Sequence, residues 1–116
     1  MTAELDKSLL YFDFIEHSPI ESMFFHAALG RIRGMVSEYE VGSYYIDFAI
    51  PHLRIAIELD GHDYHKTKAQ RTNDARRERF LEREGWRVIR FTGSEVYRDA
   101  RYCVNEVLDF IAAIKR

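Results

Sequence analysis

Tyr44-Tyr45-Ile46-Asp47-Phe48-Ala49-Ile50, then Pro51-His52, then Leu53-Arg54-Ile55-Ala56-Ile57-Glu58-Leu59-Asp60 is the stretch on which the fold turns. Both runs are rich in β-branched and aromatic residues, as strands are, and Pro51-His52 reads as a reversal between them. Along the second run Leu53, Ile55, Ile57 and Leu59 fall on one face of a pleated strand, and Arg54, Ala56, Glu58 and Asp60 on the other. If Ile50 pairs with Leu53 across the turn, Asp47 stands opposite Ala56 and Glu58 is its diagonal neighbour, roughly 7–8 Å away between Cα atoms. That pairing gathers Asp47, Glu58 and Asp60 on one face. Carboxylates on so aliphatic a hairpin need compensation, and a hard divalent cation such as Mg²⁺ supplies it. Surface ion pairing with nearby arginines is the competing reading.

Outward from the hairpin, the flanks read as helices and a further strand. Upstream, Ser18-Pro19-Ile20-Glu21 is a helix start: Ser18 as N-cap, Pro19 at the first helical position, Glu21 where a capping box places it. That helix runs through Met23, Phe24, Ala27 and Ala28 towards Gly30. Gly34 to Gly42 reads as a weak strand or connector. Downstream, a helix begins between Thr67 and Thr72 and stops at Gly85, and Trp86-Arg87-Val88-Ile89-Arg90-Phe91 alternates as a strand. Asp99 caps a last helix whose apolar positions Ala100, Cys103, Val104, Val107, Leu108, Ile111 and Ile114 recur with a 3.6-residue period. The order αβββαβα places a helix between the third and fourth strands. A crossover of that kind predicts a mixed α/β sheet with helices on both faces. Residues 1–17, with the apolar Leu9-Leu10-Tyr11-Phe12, read as an arm before a core of 18–112.

The bulk properties set the class. At 116 residues, the chain reads as one domain with a real core. Hydrophobic residues make up 47% and charged residues 31%, a globular rather than a disordered balance. No apolar run approaches the ~20 residues of a membrane helix, and Met1-Thr2-Ala3-Glu4 is unlike a signal peptide. One cysteine, Cys103, excludes an internal disulfide framework and a Cys-rich zinc site. A reducing, cytoplasmic setting is the expectation. The net charge of −2 argues against non-specific wrapping of nucleic acid, but it hides an asymmetry. From Lys66 to Arg90 nine Lys/Arg stand against four acids, Asp74, Glu78, Glu82 and Glu84. A basic segment after an acidic cluster suits a phosphodiester substrate; a solvated helix laced with ion pairs is the plainer reading.

On the metal reading, Asp47 and Glu58 each donate an oxygen and the Leu59 carbonyl adds another, leaving positions for water and a phosphate oxygen. A cation so held polarises the phosphoryl oxygen and lowers the pKa of bound water. Asp60 would bind a second cation or orient the attacking water. Glu21 reads either as a capping residue or as a contact to the metal's water. His65 reads as a proton donor or water-orienting group, or as a loop histidine in a polar network; His62 and His65 make only a weak zinc spacing. Lys68 and Gln70, at the mouth of the second helix, offer a cation and an amide near the scissile phosphate, with surface placement as their default. Tyr44, Tyr45, Tyr64 and Trp86 read as core aromatics or as base-stacking rings.

An acid on one strand followed by Glu-x-acid on the next, inside this element order, resembles the PD-(D/E)XK nuclease superfamily. More narrowly, Ser18-Pro19-Ile20-Glu21, Ile46-Asp47-Phe48-Ala49-Ile50-Pro51, the run from Ile57 to His65 and Gly85-Trp86-Arg87-Val88-Ile89-Arg90-Phe91-Thr92-Gly93-Ser94-Glu95 look like very-short-patch-repair-type endonucleases. The resemblance implies a restriction-endonuclease-like fold and a Mg²⁺-dependent deoxyribonuclease, with Mn²⁺ as a substitute. It places metal at Asp47 and Glu58 and support from Glu21. Arg71, Arg76 and Arg77 become phosphate contacts, with Asp74 their structural partner. Asp60 stands where many superfamily members carry lysine, so charge compensation passes to Lys68, Gln70, His65 or a second metal. The zinc-binding cysteines of true short-patch-repair enzymes are missing, and mismatch specificity does not carry over. By the same analogy DNA is the substrate, with a homodimer or a targeting partner for double-strand cleavage and DNA repair among the settings. A nuclease fold that has lost its chemistry and binds DNA or protein is the alternative.

Overall fold

The computed structural model describes residues 18–61 and 66–115. Helix α1 (Pro19–Ala28) opens on the expected capping box: the Ser18 side chain accepts from the Glu21 N–H while Glu21 reaches back to Ser18. Strand β1 (Val36–Val41) turns at Gly42 into β2 (Tyr44–Ile50), a 3₁₀ turn (Pro51–Leu53) follows, and β3 (Ile55–Asp60) runs back. Helix α2 (Lys68–Arg83) crosses over to β4 (Arg87–Thr92), and α3 (Gly93–Ile114) closes the order. The stretch before the hairpin, read as a weak strand or connector, is thus a strand. Gly42 is required at its turn. Its φ is +59°, and an added Cβ would stand 2.7 Å from the Phe80 ring.

The four strands lie side by side in sequence order. β1–β2 and β2–β3 pair antiparallel, whereas β3–β4 pair parallel because α2 intervenes. The mixed α/β sheet with helices on both faces is as expected from the sequence. One side packs α1 and α3: Ile20, Phe24, Phe25, Phe48, Ile50, Ile55, Ile57, Phe91, Val104 and Val107 belong to a single buried cluster. The other side, under α2, is smaller and comprises Ile46, Ala49, Ala56, Leu81 and Trp86. Each fully buried aliphatic side chain stabilises by about 1.5–3 kcal/mol relative to exposure, so the larger cluster dominates stability.

The hairpin differs from the sequence expectation in register. Leu53 lies in the 3₁₀ turn and Arg54 adopts a left-handed conformation (φ 52°), so β3 starts only at Ile55. Ile50 therefore faces Ile55, Ala49 faces Ala56 and Phe48 faces Ile57. Asp47 is not opposite Ala56, and the shift moves it towards Glu58. Arg54 holds this turn in place: its side chain donates to the Glu84 carbonyl at 2.6 Å and its own carbonyl accepts from the Arg87 N–H at 2.8 Å.

Two helix ends also refine the expectations. α2 begins after Thr67, whose hydroxyl and the Gln70 side chain form a reciprocal capping box. α3 begins six residues before the expected cap at Asp99, on a Thr92–Glu95 capping box. Asp99 nonetheless caps: its backbone leaves the helical region (φ −164°, ψ 91°), and its Oδ1 accepts from the Tyr102 N–H at 3.1 Å, restarting the helix after a kink. No helix among the described residues is long and apolar enough to cross a membrane.

Candidate active site

The β2–β3 ladder ends at Phe48 and Ile57. One residue on, the Asp47 side chain takes over: its Oδ2 accepts from the Leu59 N–H at 2.8 Å. The strand alternation slips at the same point, since Ile46 packs under α2 while Phe48 packs against α1 and α3. Across β1, Glu38 sits in the left-handed region (φ 49°) within the register step that would face Asp47. The sheet thus opens where Asp47 and Glu58 meet.

Glu58 is 2% exposed, the single charged side chain in the buried set among the described residues. Its Oε2 accepts from the Arg77 guanidinium at 2.8 Å, while Oε1 has no hydrogen-bond partner among the described residues. Burial, and then the nearby negative charge of Asp47, push its carboxyl up from 4.5 to about 7. Asp47 is raised as well, first by burial and further by the charge of Glu21, with its hydrogen bond from Leu59 acting the other way. Glu21 therefore caps α1, as one of its two readings had it, and its charge also acts on Asp47.

Asp60, one strand period further, is held by Lys66, whose Nζ lies 2.6 Å from its carboxylate and also binds Asp74. Burial draws the Lys66 ammonium down, and the bonds to Asp60 and Asp74 more than offset it, leaving it raised. Arg90 reaches in from β4, where it pairs in register with Glu58, and bonds Glu78 at 3.0 Å. An open cavity of about 290 Å³ lies between these groups, lined by Asp47, Leu59, Asp60, Gly61, Lys66, Gln70, Asp74, Arg77 and Arg90. An adjoining one of about 280 Å³ shares Asp60, Lys66, Asp74 and Arg90 with it and adds Arg71.

Of the residues named from the sequence, Asp47, Leu59, Asp60 and Gln70 line the cavity and Glu58 lies beneath it. The Gln70 side chain also accepts from the Thr67 N–H at 2.8 Å. Lys68 is exposed at the first position of α2, and Arg71 and Arg76 are exposed along it. Arg77 turns inward to Glu58. His62, Tyr64 and His65 lie outside the described residues, as does the arm of residues 1–17. Among the aromatics, Trp86 packs on Tyr39 as a core ring, Tyr44 is half-buried against Phe80, and Tyr45 is exposed. Asp74 partners Lys66 rather than an arginine. Lys66 and Arg90 were not singled out. Arg90 was within reach of the pattern, because Trp86, Val88 and Arg90 share a strand face; Lys66 was not, because its two partners come from separate elements.

The donor set suits a hard cation. Two carboxylates meet, one with a buried oxygen that has no hydrogen-bond partner among the described residues, and Leu59 lines the same cavity as Asp47. Among the described residues no three His, Cys, Asp or Glu side chains could hold a metal by themselves. Mg²⁺ is commonly held by one or two carboxylates, keeping waters and substrate phosphate oxygens as its other ligands.

Residues 31–111 match the model of the restriction-endonuclease-like family REase_MTES_1575. The chain belongs to that family. It is 41% identical over 59 residues to the uncharacterized protein YcjD of Escherichia coli, covering 51% of this chain and 48% of that one. It is 33% identical over 73 residues to an uncharacterized protein of Haemophilus influenzae, covering 63% and 60% respectively. The chain thus spans roughly half the length of these relatives. Among solved structures it is similar to the catalytic domain of the homing endonuclease I-Bth0305I, with a TM-score of 0.68 and 16% identity over 84% of this chain and 97% of that domain. At that identity the likeness establishes the fold, a restriction-endonuclease-like mixed sheet.

Proposed function

We propose that this chain is a metal-dependent endonuclease that hydrolyses phosphodiester bonds in DNA with Mg²⁺, or Mn²⁺ in its place. The observation that carries this is Glu58: a buried carboxylate, paired on one oxygen and with no partner for the other among the described residues, beside Asp47 at the edge of a cavity. An anion of that kind is costly to bury, and its pairing with Arg77 answers only one of its oxygens among the described residues. Asp47, Glu58 and the Leu59 carbonyl are the groups that would hold the cation. When bound, it would polarise the phosphoryl oxygen and lower the pKa of a bound water.

The chain's own residues do the rest. Asp47 is oriented by its bond from Leu59, Glu21 adds negative charge at the edge of the site, and Asp60 is fixed by Lys66 where it can orient water. Water's oxygen bonds to phosphorus as the bond from phosphorus to the departing sugar oxygen breaks. The water proton leaves to a carboxylate of the cluster, and the departing oxygen takes a proton from solvent. Arg71 and Arg76, exposed on α2, would contact neighbouring phosphates. A second copy or a targeting partner would serve cleavage of both strands.

Incubation with labelled duplex, nicked, flapped and single-stranded DNA, and with RNA, in Mg²⁺, Mn²⁺ or chelator, tests the proposal. Cleavage of DNA that needs the metal and disappears in both Asp47→Ala and Glu58→Ala is the expected result; wild-type rates in both variants refute it. The Arg77–Glu58 ion pair favours one rival, a binding module whose acid is already neutralised within the protein. Calorimetric titration separates the two, since that module takes up neither Mg²⁺ nor Mn²⁺.

A further inference from the structure

Resting on the nuclease reading, we infer that the site cuts DNA beside an unpaired nucleotide, whose base lies flat on the ring of Tyr97. A second groove, of about 340 Å³, adjoins the acidic cavity and shares Leu59 and Gly61 with it. Pro19, Ile20 and Glu21, at the start of α1, and Tyr97, on α3, also line this groove. Gly93 brings Tyr97 there. It is buried at the first position of α3, where an added Cβ would stand 3.4 Å from the Asp60 carbonyl oxygen and from the Gly61 Cα. Thr92, just before it, pairs in register with Asp60. Tyr97 follows Gly93 by four residues, about one helical turn, so the two share a face of α3. Its neighbour Val96 is buried in the main core, whereas Tyr97 is 60% exposed. Tyr39 and Tyr44, by contrast, pack on Trp86 and Phe80.

The chemistry of the groove selects a base over the backbone. Glu21 is the one charged side chain among the described residues that line it, so a phosphate placed there would meet a carboxylate and no cation. A nucleobase is planar and uncharged. Its face can cover the Tyr97 ring while Pro19, Ile20 and Leu59 supply apolar contact around it. The shared Leu59 and Gly61 identify the occupant as the nucleotide next to the scissile phosphate: its phosphate enters the acidic cavity and its base turns into the groove. In paired DNA both faces of a base are covered by stacked neighbours, so a base can lie on a protein ring only where pairing is absent or given up. Single strands and flaps present such a base directly, whereas a continuous duplex must first be unstacked. The net charge of −2 agrees with this choice, because stacking on an aromatic ring does not depend on the excess of positive charge that tracking a duplex backbone requires.

The test measures kcat/KM with Mg²⁺ on labelled single-stranded, flapped and continuous duplex DNA for the wild type, Tyr97→Ala and Tyr97→Phe, with thermal melts of each. The wild type should favour the unpaired substrates over the duplex by about tenfold or more, the cost of unstacking a paired base. Tyr97→Ala should lose about 5–100-fold on the unpaired substrates, the range of one base–aromatic stack, narrow that preference and melt as the wild type does. Tyr97→Phe keeps the ring and should cut as the wild type does. An abasic unit moved one nucleotide at a time across the mapped cut should slow the wild type by about the same factor at one position beside it. At that position it should cost Tyr97→Ala nothing further. Equal cleavage of every substrate by Tyr97→Ala and the wild type overturns the inference, as does a Tyr97→Phe variant as slow as Tyr97→Ala. An equal loss on all substrates with a lowered melting midpoint gives the groove to the protein's own packing and overturns it too. A wild type that prefers the continuous duplex overturns the substrate class while leaving the nuclease reading intact. A wild type that cuts none of the DNA substrates overturns the nuclease reading, and the role of Tyr97 with it.

Discussion

The two faces of the sheet are built on opposite principles. Against α1 and α3, Phe24, Phe48, Ile50, Ile55, Ile57, Phe91 and Val104 form a continuous apolar cluster. Under α2 the cluster is five residues, and beyond Ala49 and Ala56 it gives way to Glu58, Arg77, Lys66 and Asp60. The same β3 supplies both, Ile55 and Ile57 to one side and Ala56 and Glu58 to the other. The comparison teaches that stability is concentrated on one face, which leaves the other free to hold buried charge at a cost in stability.

The largest expected effect breaks the ionic face without touching the apolar one. Glu58→Ala should bring Mg²⁺-dependent cleavage down by at least about 10³-fold, roughly 4 kcal/mol of transition-state stabilisation, in a gel assay on labelled DNA. Retained near-ultraviolet circular dichroism would show that chemistry and not folding was lost.

The converse change strikes the apolar face. Phe24 is fully buried and its ring lies 5.3 Å from Phe48 and 6.1 Å from Phe91. Phe24→Ala should destabilise by about 3–5 kcal/mol in urea melts. A loss below about 1 kcal/mol would mean the two faces share the load evenly.

The third experiment measures the cost of the buried charge. The Glu58 carboxyl is raised from 4.5 to about 7, so the folded state holds its proton more tightly than the unfolded one. Its contribution to stability is complete below pH 4.5 and is lost as pH rises through about 7, by on the order of 3 kcal/mol. Asp47 shifts in the same direction. Glu58→Gln keeps an acceptor for Arg77 but does not titrate, so in chelator its stability should fall less between pH 4.5 and 7.5 than that of the wild type. Adding Mg²⁺ at pH 7.5 should raise the wild-type midpoint and leave that of Glu58→Gln nearly unchanged. Parallel pH curves for the two proteins would show that burial does not perturb this carboxyl.

The smallest effect concerns the helix ends that border the ionic face. Thr67→Ala removes the hydroxyl that caps α2 beside Lys66 and should cost about 1 kcal/mol in the same melts. A disproportionate loss of cleavage in that variant would show that the start of α2 positions Lys66 more tightly than the cap alone requires.

Much of this organisation was legible in the chain. The Ser18 cap, the β-branched runs around Pro51-His52, the alternation of Val88 and Arg90 and the helical period after Asp99 each reflect contacts within a few residues, and each is found. The register was not legible. Pro51-His52 reads as a two-residue reversal, but the turn consumes Leu53 and Arg54 as well, with Arg54 held left-handed by bonds to Glu84 and Arg87, thirty or more positions away. Nor was the Lys66 clamp, since a lysine preceding a helix looks solvated until β3 and α2 are brought together.

By itself the sequence determined the element order, the mixed sheet and the identity of the acids at 47, 58 and 60, because periodicity and side-chain chemistry are local properties. Only the tertiary structure decided that the ladder stops at Phe48, that Glu58 is buried with one oxygen unpartnered among the described residues, and which cation faces which carboxylate. Those outcomes depend on the strand register and the α2 crossover, where the dielectric and the partners of each charge come from residues distant in the chain.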